Sequence, residues 1–431
     1  MITQKVAWRA LCGVLIITAW IICFLPTLFY LNPRELPKSE NPGNISMLKI
    51  TPSFPCNPPL ILSKQAGYCK PPCDWLSFSE KEQQGMSIAD WIAVVFSTTC
   101  FCLVFTTWLK LPEFMKFPHL LILLMAGMSA FIGILVIIPK LRERSKLFCS
   151  SEFLDDAIKT PTTFCEAQGA LIQYVSFVIG ELFVIYNAVL LKRLVIDKRP
   201  NESHSRTFLV VLSLVVIALP IIPVVYVLKF GSNYTVVNLR YCFQKNADEG
   251  FYSSLLPQQL FISVGITCMM LVIFKLIKER KSSLIGSPNQ ARRRQLQMQK
   301  IASQFIMVII SYIVCVFLTY GLLCIQLSNR EAYEMSLKKY FGCLFFSNNC
   351  PRDFLEYETS YGLVIVFLLS GIVFQAGTLI LLIGKQKVRR LWQSWWFSLV
   401  GMCRRPSRKL PSTTSSIELQ PSTSDSSQKK I

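Results

Sequence analysis

Eight cysteines lie in the polar segments between the long apolar stretches of this chain, at spacings that permit covalent or metal chemistry. They are Cys56, Cys69, Cys73, Cys149, Cys165, Cys242, Cys343 and Cys350. Two of them enclose the sequence Cys69-Lys-Pro-Pro-Cys73, a pairing that binds metal ions in reducing compartments. No histidine lies near this pair, and an even number of cysteines suits a disulfide framework in an oxidising compartment. We therefore predict disulfides, and no metal or other cofactor.

Residues that support enzymatic catalysis are scarce. The chain has two histidines, His119 and His204, and neither stands beside a candidate nucleophile or metal ligand. The sequence also contains no glycine-rich phosphate loop, no His-Glu-x-x-His pair and no nucleophile elbow. We therefore predict that the protein is not an enzyme.

One acidic residue, Glu181, lies well inside an apolar stretch. Ionisable side chains within membrane spans mark transport pathways or ligand contacts, or they pair with other polar side chains for structural reasons. Asn187, Tyr312 and Gln375 are candidate partners for a structural role. The sequence leaves the three interpretations of Glu181 open.

The elements that must position these residues are apolar segments of about 20 residues, long enough to cross a bilayer as helices. Only 16% of the residues are charged, against about 25% in an ordinary soluble domain. Seven such segments occupy residues 87–384, with approximate bounds Ser87–Leu109, Phe117–Ile138, Ala167–Leu191, Thr207–Leu228, Gln259–Ile277, Ser303–Ile325 and Tyr361–Gly384. The sequence thus predicts an all-α membrane protein, a seven-transmembrane helix bundle, and excludes a soluble enzyme or a disordered chain.

A further apolar stretch precedes these seven segments. Residues 1–31 carry Lys5 and Arg9 near an apolar run from about Leu11 to Leu31, which is typical of a signal peptide or of an uncleaved signal anchor. Either interpretation places residues 32–86 outside the cell. This extracellular hinge segment is rich in Pro and Ser, so we expect no large independent domain in it.

The net charge of +20 is unevenly distributed along the chain. With residues 32–86 outside, the inner connections and the C-terminal segment hold 24 basic and six acidic residues, whereas the outer connections hold twelve basic and twelve acidic residues. This positive-inside pattern removes the argument for nucleic-acid binding and makes anionic membrane lipid an expected partner. Glycosylation sequons at Asn44 and Asn233 fall on the predicted outer side. We expect a multi-pass protein of the plasma membrane with a cytoplasmic C-terminal tail.

Residues 385–405 follow the seventh apolar segment with a different pattern. Trp392 and other apolar residues recur at helical spacing, with Arg389 and Arg390 off that face. Such a juxtamembrane amphipathic helix lies along a membrane surface. Cys403 is a candidate for lipidation, with a free thiol as the alternative. Residues 406–431 are rich in Ser, Thr and Pro, and we expect a disordered cytoplasmic tail there.

Two sequence motifs resemble those of one receptor family. The stretch Gly67-Tyr-Cys-Lys-Pro-Pro-Cys-Asp-Trp75, followed by Asp90-Trp-Ile, resembles the hinge that leads into the first span of Frizzled and Smoothened receptors. Phe114-Met-Lys-Phe-Pro118 resembles the entry to their second span. The resemblance runs from about Cys56 to Trp396 and implies a bundle of the G-protein-coupled-receptor type (class F).

The resemblance also implies how the eight cysteines pair. The family pattern joins Cys56 to Cys69, Cys73 to Cys149, Cys165 to Cys242, and Cys343 to Cys350. All eight of the cysteines on the predicted outer side are used.

The sequence departs from the family pattern at both ends. Only three cysteines lie in residues 32–86, so we expect a variety lacking the extracellular cysteine-rich domain, and Wnt binding is not carried over. In Lys387-Val-Arg-Arg-Leu-Trp392, Val388 replaces the Thr of the Lys-Thr-x-x-x-Trp motif that recruits Dishevelled. The expected cytosolic signalling partner is a G protein or a Dishevelled-like protein, and the sequence assigns neither.

A third departure concerns Lys300, at the foot of the sixth span, which matches the basic switch residue of the family. Its usual partner, a Trp late in the seventh span, is replaced near Leu382–Gly384 by residues without a ring. Backbone carbonyls of that region, or Trp392 folding back, are the available partners. We hypothesise that Lys300 restrains the sixth span, with an ordinary positive-inside residue as the alternative.

The sequence therefore predicts a Frizzled/Smoothened-like transmembrane signalling receptor that transmits an extracellular signal by helix rearrangement. The extracellular ligand is unknown. A membrane channel or transporter is the alternative from a different class, and a non-signalling membrane scaffold is a second alternative.

Overall fold

The computed structural model describes residues 56, 60–63, 68–73, 78–111, 117, 119–141, 147–153, 160–196, 206–231, 234–237, 241–282, 288–346, 350, 355, 360–383 and 385–403. The signal segment, the sequons at Asn44 and Asn233, and the C-terminal tail lie outside these residues. Within the described part, seven helices are long and apolar enough to cross a membrane. The predicted seven-helix membrane bundle is thus confirmed.

The helices follow one another with short connections. Their bounds are α1 Glu80–Lys110, α2 His119–Leu141, α3 Thr163–Leu191, α4 Arg206–Ala218, α5 Ile221–Lys229, α6 Leu256–Ser282, α7 Pro288–Ser328, α8 Arg330–Phe346, α9 Tyr361–Ile383 and α10 Gln386–Cys403. A π-helical turn, Lys192–Ile196, extends α3, and the short helix Ala247–Gly250 with a π-turn, Phe251–Leu255, leads into α6. Helices α1, α2, α3, α6, α7 and α9 are the first, second, third, fifth, sixth and seventh spans, and α4 with α5 forms the fourth.

The first helix begins before its apolar residues do. Ser79 caps it with a reciprocal pair of hydrogen bonds, because its hydroxyl accepts from the Glu82 amide (3.4 Å) while the Glu82 carboxylate accepts from the Ser79 amide (2.8 Å). This capping box satisfies two amide groups that the first helical turn leaves without partners. The helix therefore includes polar residues that hydropathy had assigned to the hinge segment.

The fourth span is divided in two by a proline. Pro220 lies in the turn between α4 and α5. It has no N–H to donate, and its ring clashes with the carbonyl group four residues earlier, so a continuous helix is disfavoured there. The amide of Ile222 bonds instead to the carbonyl of Leu219, at 3.2 Å, and restarts the helix.

The sixth span is much longer than its apolar segment. Helix α7 starts at Pro288, a residue favoured at the first helical position, and continues through a polar stretch of good helix formers that includes Lys300. After the C-terminal end of α7, helix α8 spans Arg330–Phe346. The sequence predicts only a connection between spans in that segment.

Among the described residues, two small antiparallel hairpins lie in the connections. Strands β1 (Ile61–Ser63) and β2 (Tyr68–Lys70) form one, and β3 (Tyr234–Val237) and β4 (Tyr241–Gln244) form the other. We call the end of the bundle that carries the hairpins and the disulfides the disulfide end, and the other end the opposite end. The closest helix pairings are α7 with α9, α3 with α6, and α1 with both α2 and α9.

The chain forms two compact units, one reaching to Lys385 and the other beginning at Gln386. The described part of the second unit is the helix α10. The α10 sequence concentrates Trp and Phe residues among basic ones, the composition of a helix that lies at a membrane surface.

Candidate functional site

Four disulfides gather at one end of the bundle. The structure joins Cys56 to Cys69, Cys73 to Cys149, Cys165 to Cys242, and Cys343 to Cys350. These are the pairs that the family resemblance implies. Two of them close long loops, with sequence separations of 76 and 77 residues, so they restrict the unfolded chain most strongly.

The hairpin β3–β4 is fixed to the third span by one of these bonds and by a buried tyrosine. Tyr234 is fully buried, and its hydroxyl group donates a 2.5 Å hydrogen bond to Oε1 of Gln173. Nε2 of Gln173 in turn donates to the carbonyl of Ser253, at 3.2 Å. Burial raises the pKa of the Tyr234 phenol, since the charged form is disfavoured away from water. The phenol therefore remains a hydrogen-bond donor.

A glycine makes room for this tyrosine. A Cβ atom at Gly169 of α3 would lie 2.5 Å from Cδ1 of Tyr234, a separation that real side chains do not reach. The ring of Tyr234 thus lies directly against the backbone of the third span. The residue type at Gly169 is fixed by this contact, which joins positions far apart in the sequence.

A buried glutamine ties three elements together beside the hairpin. Nε2 of Gln168 donates to the carbonyl of Leu135 on α2 (2.8 Å), and its Oε1 accepts from the amide of Cys242 on β4 (3.1 Å). Two residues after Cys242 on β4, Nε2 of Gln244 donates to the hydroxyl of Ser254, at 2.6 Å. The hairpin is therefore linked to the second and third spans and to the start of the fifth.

The hairpin also reaches the seventh span. The ring of Tyr241 stacks on that of Phe367, with 6.4 Å between ring centroids. A displacement of the hairpin would consequently alter its contacts with several spans at once.

An ion pair joins the first two spans. Lys140, near the end of α2, forms a salt bridge with Asp90 of α1, and both side chains are almost completely buried. The ammonium group of Lys140 also donates to the carbonyl of Ser87, at 3.3 Å. Sequence reasoning missed this pair, because Asp90 falls near the end of one apolar segment and Lys140 in a connection.

Glu181 does not form the pairings considered from the sequence. Its side chain is only 4% exposed, yet neither carboxylate oxygen has a hydrogen-bond partner among the described residues. Of the candidate partners, Asn187 donates instead to the carbonyl of Phe183 within its own helix (2.8 Å).

The contacts of nearby residues on α3 indicate which neighbouring spans Glu181 borders. Tyr174 lies two turns earlier on the same face of α3, and its hydroxyl group donates to the carbonyl of Ile217 on α4, at 3.4 Å. Phe177, one turn before Glu181, packs against Phe261 of α6. Glu181 therefore lies on the side of the third span that borders the fourth and fifth spans.

An aromatic contact connects the third, sixth and seventh spans in the interior. The fully buried ring of Tyr312 on α7 lies 4.3 Å from that of Phe183 on α3 and 4.9 Å from that of Phe374 on α9, between centroids. Nearer the disulfide end, the hydroxyl groups of Thr319 and Ser370 are 2.7 Å apart and join α7 to α9. The sixth span thus moves only with changes in its packing against both neighbours.

At the opposite end, basic residues link the second, third and seventh spans. Nζ of Lys385, just after α9, lies 2.7 Å from Nε2 of His119, the first residue of α2. The guanidinium group of Arg193, in the π-turn after α3, donates to the carbonyl of Phe117 at 3.3 Å. The sequence showed His119 and Lys385 only as separate residues.

The remaining predicted coupling residues lie on α7 and α10. The structure places the backbone of Lys300 within α7 and that of Cys403 at the end of α10, while the side chains of both lie outside the described residues. Lys387 is exposed and Trp392 half-buried on α10. The contact between Lys300 and Trp392 remains a prediction.

Comparison with known proteins identifies the family. The membrane region of the Frizzled/Smoothened family matches residues 76–399 of this chain. The crystal structure of squid rhodopsin is similar over 76% of this chain and 92% of its own, with 12% sequence identity and a TM-score of 0.46. No curated protein matches the chain.

The fold and the family match together define the class of protein. The molecule is a seven-transmembrane receptor with a disulfide-linked cap at one end of its bundle. The chain belongs to the Frizzled/Smoothened family, since the match covers most of its length. The family and fold are those of signalling receptors.

Proposed function

We propose that this protein is a cell-surface receptor whose disulfide end faces the outside and whose opposite end faces the cytoplasm. The four disulfides support this orientation, because such bonds form and persist in oxidising compartments. The excess of basic residues at the other end supports it independently.

The outer surface formed by the hairpin β3–β4 is the proposed place of ligand action. The observation that carries this proposal is the attachment of one hairpin to the third span by Cys165–Cys242 and to the seventh by Tyr241 and Phe367. A ligand that binds the hairpin better in one arrangement of these spans shifts the population toward that arrangement. The signal then crosses the membrane as a change in helix packing.

At the cytoplasmic end, the polar extension of the sixth span is the proposed contact for a signalling partner. Helix α7 continues from Pro288 past Arg292 to Lys300 with basic and amide side chains. Two classes of partner are considered, a G protein and a Dishevelled-like protein. Lys387 and Trp392 on α10 belong to the segment that resembles the Dishevelled-recruiting motif.

The test uses the full chain in cells, with an environment-sensitive reporter at the exposed position Leu296 of α7. Lys300→Ala should raise basal signalling and the mobility of the reporter, because the proposed contact at the foot of the sixth span would be lost. Arg292→Ala, which lies farther from the membrane, is the matched control and should change neither. Ligands are then screened for the same reporter change in the unmodified chain.

Two outcomes would contradict the proposal. Equal effects of Lys300→Ala and Arg292→Ala would mean that positive charge alone matters at this end. Steady ion or solute flux through reconstituted vesicles, abolished by Glu181→Gln, would identify a transport protein instead of a receptor.

A further inference from the structure

The seventh span ends in a side-chain contact with the beginning of the second. The amide of Lys385 donates to the carbonyl of Leu382, at 3.0 Å, so Lys385 continues the last turn of α9. Its ammonium nitrogen lies 2.7 Å from Nε2 of His119, the residue that begins α2. This is hydrogen-bond distance between residues 266 positions apart.

The chemistry of the two groups determines the protonation state of this contact. A lysine ammonium group can only donate hydrogen bonds, so Nε2 of His119 must accept. A histidine nitrogen accepts only when it carries no proton, which requires a neutral imidazole with its proton on Nδ1. A second proton on His119 would remove the acceptor and place two positive charges at hydrogen-bond distance.

Other positively charged groups near His119 also disfavour a second proton on its imidazole. The positive charges of Lys385 and Arg193 both act on the imidazole, and Arg193 holds the carbonyl of Phe117, two residues before His119. Lys110 at the end of α1 and Lys192 after α3 are exposed at this end. Glu113 and Lys116 belong to residues 112–116, which lie outside the described residues.

We propose that His119 and Lys385 form a proton-sensitive latch that ties the cytoplasmic end of the seventh span to the second. The latch is closed while His119 is neutral, and it opens when His119 takes up a proton or when the seventh span is displaced. Its consequence for signalling rests on the proposed receptor function, since the opened end is where a cytosolic partner binds. It joins different helices from the Lys300 contact expected from the family resemblance.

The test measures the distance between the second and seventh spans in the full chain, reconstituted in lipid nanodiscs. Nitroxide labels are attached through noncanonical residues at Leu124 and Ile383, which are partly exposed on α2 and α9, so the native cysteines stay unmodified. Distances are recorded by pulsed electron paramagnetic resonance from pH 7.5 to pH 4.5. In the unmodified sequence a longer-distance population should appear as the pH falls.

Four variants separate the latch from other titrating groups. His119→Phe and Lys385→Met should show the longer distance at every pH. At pH 7.5 the population at the longer distance should be about tenfold or more above that of the unmodified chain, because a charged hydrogen bond is lost. His119→Gln keeps an acceptor that does not titrate and should hold the short distance throughout. Lys192→Met removes an equal charge nearby and should behave like the unmodified chain.

The short distance in His119→Phe at pH 7.5, or an unchanged pH response in His119→Gln, would overturn the latch. The distance measurement needs neither ligand nor signalling partner. A failure of the proposed receptor function, seen as absent coupling in cells, is therefore distinguishable from a failure of the latch.

Discussion

The hydroxyl group of Tyr234 donates a 2.5 Å hydrogen bond to Oε1 of Gln173 and so joins the hairpin β3–β4 to the third span. Both side chains are almost completely buried. In such surroundings the loss of one partner leaves the other without a hydrogen bond and away from water, which costs more than the bond itself contributes.

Replacing Tyr234 by Phe should therefore destabilise the protein by about 1–3 kcal/mol, because Oε1 of Gln173 loses its donor. The measurement is the thermal unfolding temperature of the purified chain in detergent. Tyr252→Phe is the matched control, since Tyr252 is 56% exposed, and it should change the unfolding temperature little. Equal shifts in the two variants would show that the Tyr234 hydroxyl contributes no net stability.

The substitution Cys165→Ser should leave Cys242 unpaired and loosen the hairpin from the third span. Removal of a native disulfide costs on the order of 2–5 kcal/mol, so we expect poor delivery of the variant to the cell surface. Cys102→Ser, at an exposed free cysteine, should be delivered normally. Peptide mapping that found both thiols free in the mature unmodified protein would reject the pairing.

The buried ion pair between Asp90 and Lys140 gives a third prediction. Asp90→Asn leaves the Lys140 charge without its counter-ion, which costs about 3–5 kcal/mol when a buried pair is broken from one side. The double variant Asp90→Asn with Lys140→Met should recover much of this loss, because no uncompensated charge remains. Thermal unfolding of the single and double variants checks this, and a double variant no more stable than Asp90→Asn would count against it.

A fourth prediction uses two glycines with different surroundings. Gly169→Ala should cost about 1–3 kcal/mol by overpacking against the Tyr234 ring. Gly342→Ala, where nothing lies within 4 Å of the added Cβ, should stabilise its helix by up to about 1 kcal/mol. Unfolding temperatures that shift in the same direction for both variants would mean that helix propensity, not the contact, decides the effect at Gly169.

Much of the architecture was predictable from local sequence. The apolar segments located all seven spans, and the pair Ser79 and Glu82, three residues apart, carried a capping signal that would have placed the start of α1 correctly. Pro220 likewise marked the break in the fourth span. The helix α8 and the polar half of α7 were missed, because hydropathy detects contact with lipid and not helix formation in water.

The polar contacts could not be predicted in the same way. Gln168 bonds to Leu135 and to Cys242, and His119 meets Lys385, across separations of 33, 74 and 266 positions. No local pattern marks such partners, and the pairing of cysteines was available only from the family resemblance. Glu181 shows the reverse case, since its sequence context suggested polar partners and neither of its carboxylate oxygens bonds to a described residue.

The sequence by itself thus determined that residues 80–383 contain seven segments able to cross a membrane as helices, because the cost of placing polar groups in lipid makes the length and apolarity of each segment decisive. It also marked which end carries cysteines and which carries basic charge. Only the tertiary structure decided which polar side chains meet, such as Tyr234 with Gln173 and Lys385 with His119. Those contacts depend on how the helices are rotated and aligned against one another, which follows from packing over the whole bundle.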